Sequence, residues 1–161
     1  MTMSDGGADR RLELAAGSPD AESDAPSTIS PCRQSGQHLF VSGQVARRDG
    51  KLVAEGRVGD EVDLETARRC ARQCALNLLE ATRQHLGSLG TVRSVLSLTV
   101  YVASAPGFTQ QHLVADAASS LLAEVVGAEP PVRAALGMAA LPINSPVEAQ
   151  AIFELAGPPG A

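Results

Sequence analysis

The sequence is poor in aromatic residues. Among 161 residues there are no Trp, one Tyr and three Phe, so aromatic side chains make up only 2% of the chain. Hydrophobic residues still reach 44%, and the core must therefore be built from Ala, Val and Leu. The same scarcity removes the aromatic platforms on which single-stranded nucleic acid stacks. A formal net charge of −5 also argues against a nucleic-acid partner, because binding to a phosphate backbone depends on Lys and Arg.

The sequence also lacks long apolar runs. No run approaches the ~20 residues that a membrane-spanning helix requires, so we expect no membrane partner. The first residues show no apolar stretch between a basic start and a cleavage site, so we expect no secretion signal. Three Cys residues without a framework spacing favour a reducing compartment. These features predict a cytoplasmic protein.

Negative charge is concentrated at the N-terminus. Residues 1–27 contain six acidic and two basic side chains, are rich in Gly, Ala, Ser, Asp and Pro, and show no sustained period. We therefore predict a disordered acidic tail, within which residues 11–14 have the composition to dock locally. Residues 28–156 are predicted to form one folded domain, and residues 157–161 a frayed C-terminus.

Hydrophobic periodicity in the domain predicts an α+β fold with the order β-β-α-β-α-β-β. Alternating patterns predict strands at 37–45, 51–54, 92–102, 132–141 and 147–155. The dipeptide Asp49-Gly50 predicts a hairpin turn between the first two strands. Apolar spacings of three and four predict one helix between Asp63 and Gly87 and another over 109–126. Two helices can cover only one face of such a sheet, so we expect its second face to be open.

The strand at 132–141 has two different faces. One face carries Val132, Leu136 and Met138, and the other carries Arg133 among the small residues Ala135, Gly137 and Ala139. We expect the Arg133 face to be the open one and to meet another subunit.

Arg133 is the main candidate for a functional side chain. Its guanidinium stays charged, so it must find an anion when it is partly buried, and a carboxylate suits it through two parallel hydrogen bonds. Two interpretations remain open, a bound carboxylate ligand and a structural ion pair with Glu148 or Glu154 across the sheet. Spacing alone favours the structural ion pair.

Several stretches, in order and spacing, resemble the reactive-intermediate deaminase (Rid) family, of which some members carry an older label as endoribonucleases. The resemblance covers roughly residues 28–156 and lies in 38–44 (HLFVSGQ), 132–135 (VRAA), 141–142 (LP) and 147–151 (VEAQA). Residues 71–77 and 102–108 are similar to a less-characterised subgroup of that family.

The resemblance implies a chorismate-mutase-like fold of the bacillus type and a homotrimer with clefts between subunits. It implies a reaction without cofactor or metal, in which water adds to a 2-imino acid, such as 2-iminobutanoate or 2-iminopropanoate, or to its enamine tautomer. Ammonia and a 2-keto acid are released, so the expected partner is a small carboxylate-bearing molecule. The family's carboxylate-binding arginine falls on Arg133, while Ser42 and Gly43 fall on the strand that borders the cleft.

Three positions depart from the family pattern. The family's glutamate near the chain end falls on Gln150, which orients water but cannot titrate, and Glu148 lies on the same face, ~6.6 Å along the strand. Ala135 stands where a cysteine often follows the arginine, and Asp116 stands where the second helix carries an asparagine. The added charge of Asp116 would oppose a carboxylate. An alternative therefore stays open, a trimer that binds a small carboxylate or catalyses another cofactor-free hydrolysis or cyclisation without deaminase activity.

Other chemistry-bearing residues are expected to be structural. Cys70 and Cys74 lie four apart on a predicted helix, and Cys74 belongs to its apolar stripe, so buried thiols are favoured over a metal site. Ser42 has no His and Asp partners visible in the sequence, which argues against a nucleophilic triad. A ribonuclease or RNA-binding function rests on the older family label, and the acidic composition opposes it.

Overall fold

The computed structural model describes residues 6–16 and 28–157, which form three helices and two β-sheets. The helices are α1 (Gly6–Ala16), α2 (Leu64–Leu86) and α3 (Gln111–Val126). The strands are β1 (Cys32–Ser35), β2 (His38–Val45), β3 (Arg47–Arg48), β4 (Lys51–Leu52), β5 (Val92–Ala103), β6 (Val132–Met138) and β7 (Val147–Leu155). None of the helices in the two described ranges is both long enough and apolar enough to cross a membrane.

Five strands form the main sheet in the order β1-β2-β7-β5-β6, and β3 and β4 form a separate ribbon. Neighbouring strands are antiparallel except β5 and β6, which are parallel. A parallel pair needs a crossover connection, and α3 supplies it. The edge strands of the main sheet are therefore β1 and β6.

The elements from α2 onward confirm the predicted order. The Asp63 carboxylate accepts a hydrogen bond of 2.7 Å from the Thr66 N–H at the start of α2, and Gly87 ends the helix in the left-handed conformation. The predicted apolar stripe of α2 faces the core, with these residues fully buried: Ala67, Ala71, Cys74 and Leu78.

The N-terminal strands were predicted in part, because the strand at 37–45 corresponds to β2 and the Asp49-Gly50 turn is present. The structure adds β1, which pairs with β2, and the predicted short strand at 51–54 pairs as β4 with β3 and not with β2. Both turn residues have positive φ, 50° and 73°, as expected for a tight hairpin. The long partner of β2 is β7, about a hundred residues away, and such a non-local pairing leaves no local pattern in the sequence.

The prediction of a disordered tail over residues 1–27 was wrong for residues 6–16, which form α1. Leu12 is buried in the core, in agreement with local docking at residues 11–14. Arg11 Nε donates a 2.6 Å hydrogen bond to the Val125 carbonyl near the end of α3, and the Asp9 carboxylate accepts one of 2.7 Å from the Leu89 N–H. The composition does not reveal this helix because it buries few apolar residues, chiefly Ala8 and Leu12, and is held also by polar contacts to the ends of other helices. The rest of the predicted tail, and residues 158–161, lie outside the described residues.

The main sheet has a covered face and an open face. As predicted, α2 and α3 lie on the same face, α2 against β2 and β7 and α3 against β5 and β6. The covered face consists of buried residues, chiefly Leu39, Val41, Leu98, Val100, Val102, Ala149, Ala151 and Phe153. The open face carries the alternate residues, chiefly Phe40, Ser42, Ser97, Thr99, Tyr101, Glu148, Gln150 and Ile152.

Candidate functional site

Arg133 lies on the covered face of the edge strand β6. It pairs with the buried Leu98 of β5, so the parallel register turns its side chain toward α3. Its Nη1 donates to Asp116 Oδ1 and to Ser119 Oγ, both at 2.8 Å. Its Nη2 makes a longer bond of 3.4 Å to the His112 carbonyl. Three residues of one helix therefore hold the guanidinium.

The expectation that the Arg133 face is open was wrong. Val132, Leu136 and Met138 lie on the open face and are 74%, 44% and 37% exposed. Gly137 lies under α3, where the Gln111 amide is 2.9 Å from the position that a Cβ would take. The alternation of side chains along a strand shows which residues share a face. It does not show which of the two faces packs against the helices, because both faces of an edge strand are only partly covered.

The ion pair of Arg133 uses an acid that the strand spacing did not suggest. Asp116 is the partner, not Glu148 or Glu154. The side chains of Arg133 and Asp116 are 24% and 46% exposed, so the pair is partly screened by solvent. Both short bonds use Nη1, and Nε has no acceptor among the described residues. The Nε–Nη2 edge of the guanidinium therefore keeps donors for a second anion.

A second group of predicted site residues lines a cavity on the open face. This open-face cavity has a volume of about 360 Å³ and lies over β2, β5 and β7. Gln150 and Ser42 both line it, and Thr99 pairs with Gln150 across the strands. The remaining lining residues include Arg33, Phe40, Ser97 and Ile152. Amide and hydroxyl groups thus surround a space large enough for ordered water or a small polar ligand.

Glu148 lies on the open face next to this cavity. Its side chain packs against Gly43 so closely that Oε1 occupies the space where a Cβ at position 43 would be placed. A side chain at position 43 would therefore have to displace the Glu148 carboxylate. Burial raises the pKa of the Glu148 carboxyl. No described residue donates a hydrogen bond to that carboxylate or pairs with it.

The three cysteines are free and buried, so the prediction of buried thiols is confirmed. Burial raises the pKa of Cys70 to about 11 and that of Cys74 well above its ordinary value. Cys74 Sγ lies 3.4 Å from the Val147 carbonyl, to which it donates. Within residues 6–16 and 28–157, no group of three His, Cys, Asp or Glu side chains could hold a metal ion.

The predicted site residues fall into two groups on opposite faces of the sheet. The covered-face group is Arg133, Asp116 and Ala135, and the open-face group is Ser42, Gly43, Glu148 and Gln150. The sheet separates the two groups within one chain. A small ligand could touch both only where β6 of one chain meets the open face of another.

Sequence reasoning missed Ser119 and His112 as partners of Arg133. Together with Asp116 they lie at spacings of four and three on α3, and therefore on one side of the helix. That polar stripe is visible in the sequence. The position of this stripe relative to β6 cannot be seen in the sequence, because it depends on the geometry of the crossover connection.

A protein-family model described as Endoribonuclease L-PSP matches residues 23–155. The chain belongs to the endoribonuclease L-PSP family. This confirms the resemblance to the Rid family, which is also known through its RidA and YjgF members.

Relatives of the chain within the L-PSP family span a wide range of identity. Protein TCP17 of Trypanosoma cruzi is 38% identical over 123 residues, which cover 75% of this chain and 77% of TCP17. The crystal structure of Atu1372 from Agrobacterium tumefaciens, a protein of unknown function, is 40% identical, covers 92% of both chains and has a TM-score of 0.82. Escherichia coli TdcF with bound serine is 19% identical, covers 82% of this chain and 91% of TdcF, and has a TM-score of 0.58. At that identity the likeness concerns the fold alone.

Proposed function

We propose that this L-PSP family member is a cofactor-free hydrolase that converts 2-imino acids or their enamine tautomers to 2-keto acids and ammonia. The observation that carries the proposal is the hydrogen bonding of the Arg133 guanidinium. Asp116 and Ser119 orient its guanidinium through Nη1, while the Nε–Nη2 edge keeps only one long bond to a carbonyl. That edge matches the two oxygens of a substrate carboxylate.

The reaction requires a cleft between subunits, and we propose a homotrimer. The open face exposes apolar side chains that the described part of the chain does not cover: Phe40, Leu96, Val132, Leu136 and Met138. Contact between the β6 edge of one chain and the open face of the next joins two different surfaces. Such heterologous contacts form a ring when the rotation between subunits closes, and the family resemblance implies a ring of three.

In this cleft each group has a separate task. Arg133 binds the carboxylate, and Gln150 with the nearby hydroxyls orients a water molecule toward C2 of the imine. The water oxygen bonds to C2 while the C=N π bond opens and one water proton moves to the nitrogen, which gives a carbinolamine. Transfer of the hydroxyl proton to the nitrogen then allows the C–N bond to break, which releases ammonia and leaves the C=O of the keto acid. Glu148 is the titratable group on the same face, and its raised pKa moves it toward the range useful for proton transfer.

The test is the hydrolysis of 2-iminopropanoate generated in situ. We expect Arg133→Ala to lower kcat/KM at least tenfold, or about 1.4 kcal/mol, because the carboxylate loses its anchor. Arg10→Ala removes an exposed arginine of α1 and should leave the rate unchanged. If the wild type is no faster than Arg133→Ala relative to the spontaneous reaction, the deaminase proposal fails.

Gln150 offers a second test of the same proposal. Gln150→Glu places a titratable carboxylate at the family's position, so we expect the rate of imine hydrolysis to rise. The measurement is the same coupled assay over a range of pH. A fall of tenfold or more would show that the amide has a task of its own.

Gln150 and Asp116 favour a second candidate function, a trimer that binds a small carboxylate or catalyses a different cofactor-free hydrolysis or cyclisation. The amide cannot exchange a proton, and Asp116 offsets much of the positive charge of Arg133. A thermal-shift screen with keto acids, aromatic acids and amino acids, including the serine seen bound to TdcF, separates the two functions. A ligand that stabilises the protein without turnover of imines favours this second function.

A further inference from the structure

A basic cavity lies between the β3–β4 ribbon and α2. Its volume is about 680 Å³, and it shares no lining residue with the open-face cavity. Four cationic side chains line it, Arg48, Lys51, Arg69 and Arg72, against one carboxylate, Asp49. The lining thus carries a net charge of +3 in a chain whose net charge is −5. This local excess of positive charge can attract an anion.

The two walls of the basic cavity are held at a fixed distance. Asn77 Nδ2 donates to the carbonyls of Val45 and Arg47, at 3.0 and 2.9 Å, and so ties the ribbon to α2. The Val53 N–H donates to the Ala46 carbonyl at 2.8 Å, which holds the two strands of the ribbon together at the same end. The space between ribbon and helix is therefore a feature of the fold, not of loose surface side chains.

The described residues offer little negative charge to the cationic groups of the basic cavity. Arg72 and Lys51 have no hydrogen-bond acceptor or ion-pair partner among the described residues. Arg69 donates to Thr66 Oγ1 at 2.8 Å, a neutral acceptor. Arg48 lies 3.6 Å from Asp49 with both side chains well exposed, and such a pair contributes little.

The rest of the lining is apolar except for Gln73. Leu52 of the ribbon and Leu76 of α2 line the same space. Arg69, Arg72 and Leu76 recur at helical spacing, so the basic and apolar parts of this wall form one stripe of α2. The cavity therefore combines anion recognition with an apolar surface.

We propose that the basic cavity binds a phosphorylated small molecule of about nucleotide size with at least two negative charges. The guanidinium fork matches the oxygens of a phosphate group, and a phosphate ester supplies the multiple charge that a +3 lining favours. The volume lies within the range of small-molecule sites, and the concave shape favours a small ligand over a protein surface. No Ser, Cys or His lines the cavity. This site is independent of the function proposed for Arg133.

The experiment is isothermal titration of the full-length chain at low salt with ADP, inorganic pyrophosphate and adenosine as probes. We expect saturable binding of ADP and pyrophosphate that weakens as salt is raised, and none of adenosine. The absence of saturable ADP and pyrophosphate binding into the millimolar range overturns the proposal. Binding of adenosine as tight as that of ADP also overturns it, since phosphate recognition would then play no part.

A matched pair of double variants separates the site from general charge. Arg69→Ala with Arg72→Ala should weaken ADP binding roughly tenfold or more. Arg10→Ala with Arg93→Ala removes the same charge from exposed positions outside the cavity and should change the affinity less than about twofold. Equal weakening in both double variants overturns the site. If the first double variant does not fold, Arg72→Gln alone should weaken binding in the same direction while retaining the wild-type circular dichroism spectrum.

Discussion

The covered and open faces of the main sheet differ in how far their side chains are buried and in whether their charged groups have partners. On the covered face Phe153 is fully buried, and Arg133 has an acid and a hydroxyl of its own chain. On the open face Phe40 is 46% exposed, and the Glu148 carboxylate has no partner among the described residues. The side chains of the covered face find most of their partners within the described part of the chain, whereas the open face presents apolar area and a carboxylate that the described residues leave uncovered.

Two phenylalanines test this contrast most strongly. Phe153→Ala removes a buried ring and should lower the free energy of unfolding by about 3–5 kcal/mol. Phe40→Ala, on the opposite face of the neighbouring strand, should cost less than about 1 kcal/mol in dilute protein. Urea denaturation measures both changes. Sedimentation velocity should show that Phe40→Ala also shifts the protein toward smaller species. Equal costs for the two variants would mean that the faces do not differ as described.

Variants of Asp116 test whether its negative charge next to Arg133 weakens the binding of a carboxylate ligand. Asp116→Asn keeps an acceptor for Arg133 Nη1 but removes the negative charge, so we expect pyruvate to bind up to about tenfold more tightly. Asp116→Ala also removes the acceptor and should not show this gain, because the guanidinium is then no longer oriented. Calorimetric titration measures the affinities. Weaker binding by the Asn variant would show that the charge itself is needed to hold Arg133.

Arg11 tests how the helix α1 is attached to the helices that pack on the covered face. Arg11→Ala removes the hydrogen bond to the Val125 carbonyl near the C-terminal end of α3 and should cost about 1 kcal/mol. Arg10, its exposed neighbour, makes no hydrogen bond or ion pair with any described residue, so Arg10→Ala should have little effect. Thermal denaturation of the two variants checks this. Equal stability of both would mean that α1 does not depend on this bond.

The smallest expected effect is that of replacing Glu148, and it concerns how the free energy of unfolding depends on pH. Burial raises its pKa, so the folded state binds the proton more tightly than the unfolded state. Glu148 therefore lowers stability as pH rises from the ordinary carboxyl range through the raised pKa. Glu148→Gln should remove this slope and gain stability relative to the wild type toward neutral pH.

The matched control for Glu148 is Glu154→Gln on the same strand and face. Glu154 accepts a hydrogen bond of 2.9 Å from Ser94 Oγ, so its replacement removes a partnered carboxylate. Urea denaturation at several pH values should show the gain for Glu148→Gln only. The same gain in both variants would trace the effect to net charge instead of to burial of Glu148.

Local features of the fold could be read from the sequence because they depend on neighbouring residues. The Asp63 cap, the Asp49-Gly50 turn and the alternation of β7 each follow from chain-local geometry. The same holds for the placement of Glu148 and Gln150 on one face. The helix α1 escaped prediction because its stability comes from contacts with Val125 and Leu89, which are far away in the chain.

The amino-acid sequence by itself determined the type and order of the main elements, the residues that share each strand face, and the family to which the chain belongs. Only the tertiary structure decided that Arg133 turns toward α3 and that Asp116 is its partner. It also decided that Gln150 lies on the opposite face of the sheet from these two residues. The physical reason is that periodicity is set by the geometry of one strand or helix. The side that becomes covered is set by the crossover and by packing between segments distant in the chain.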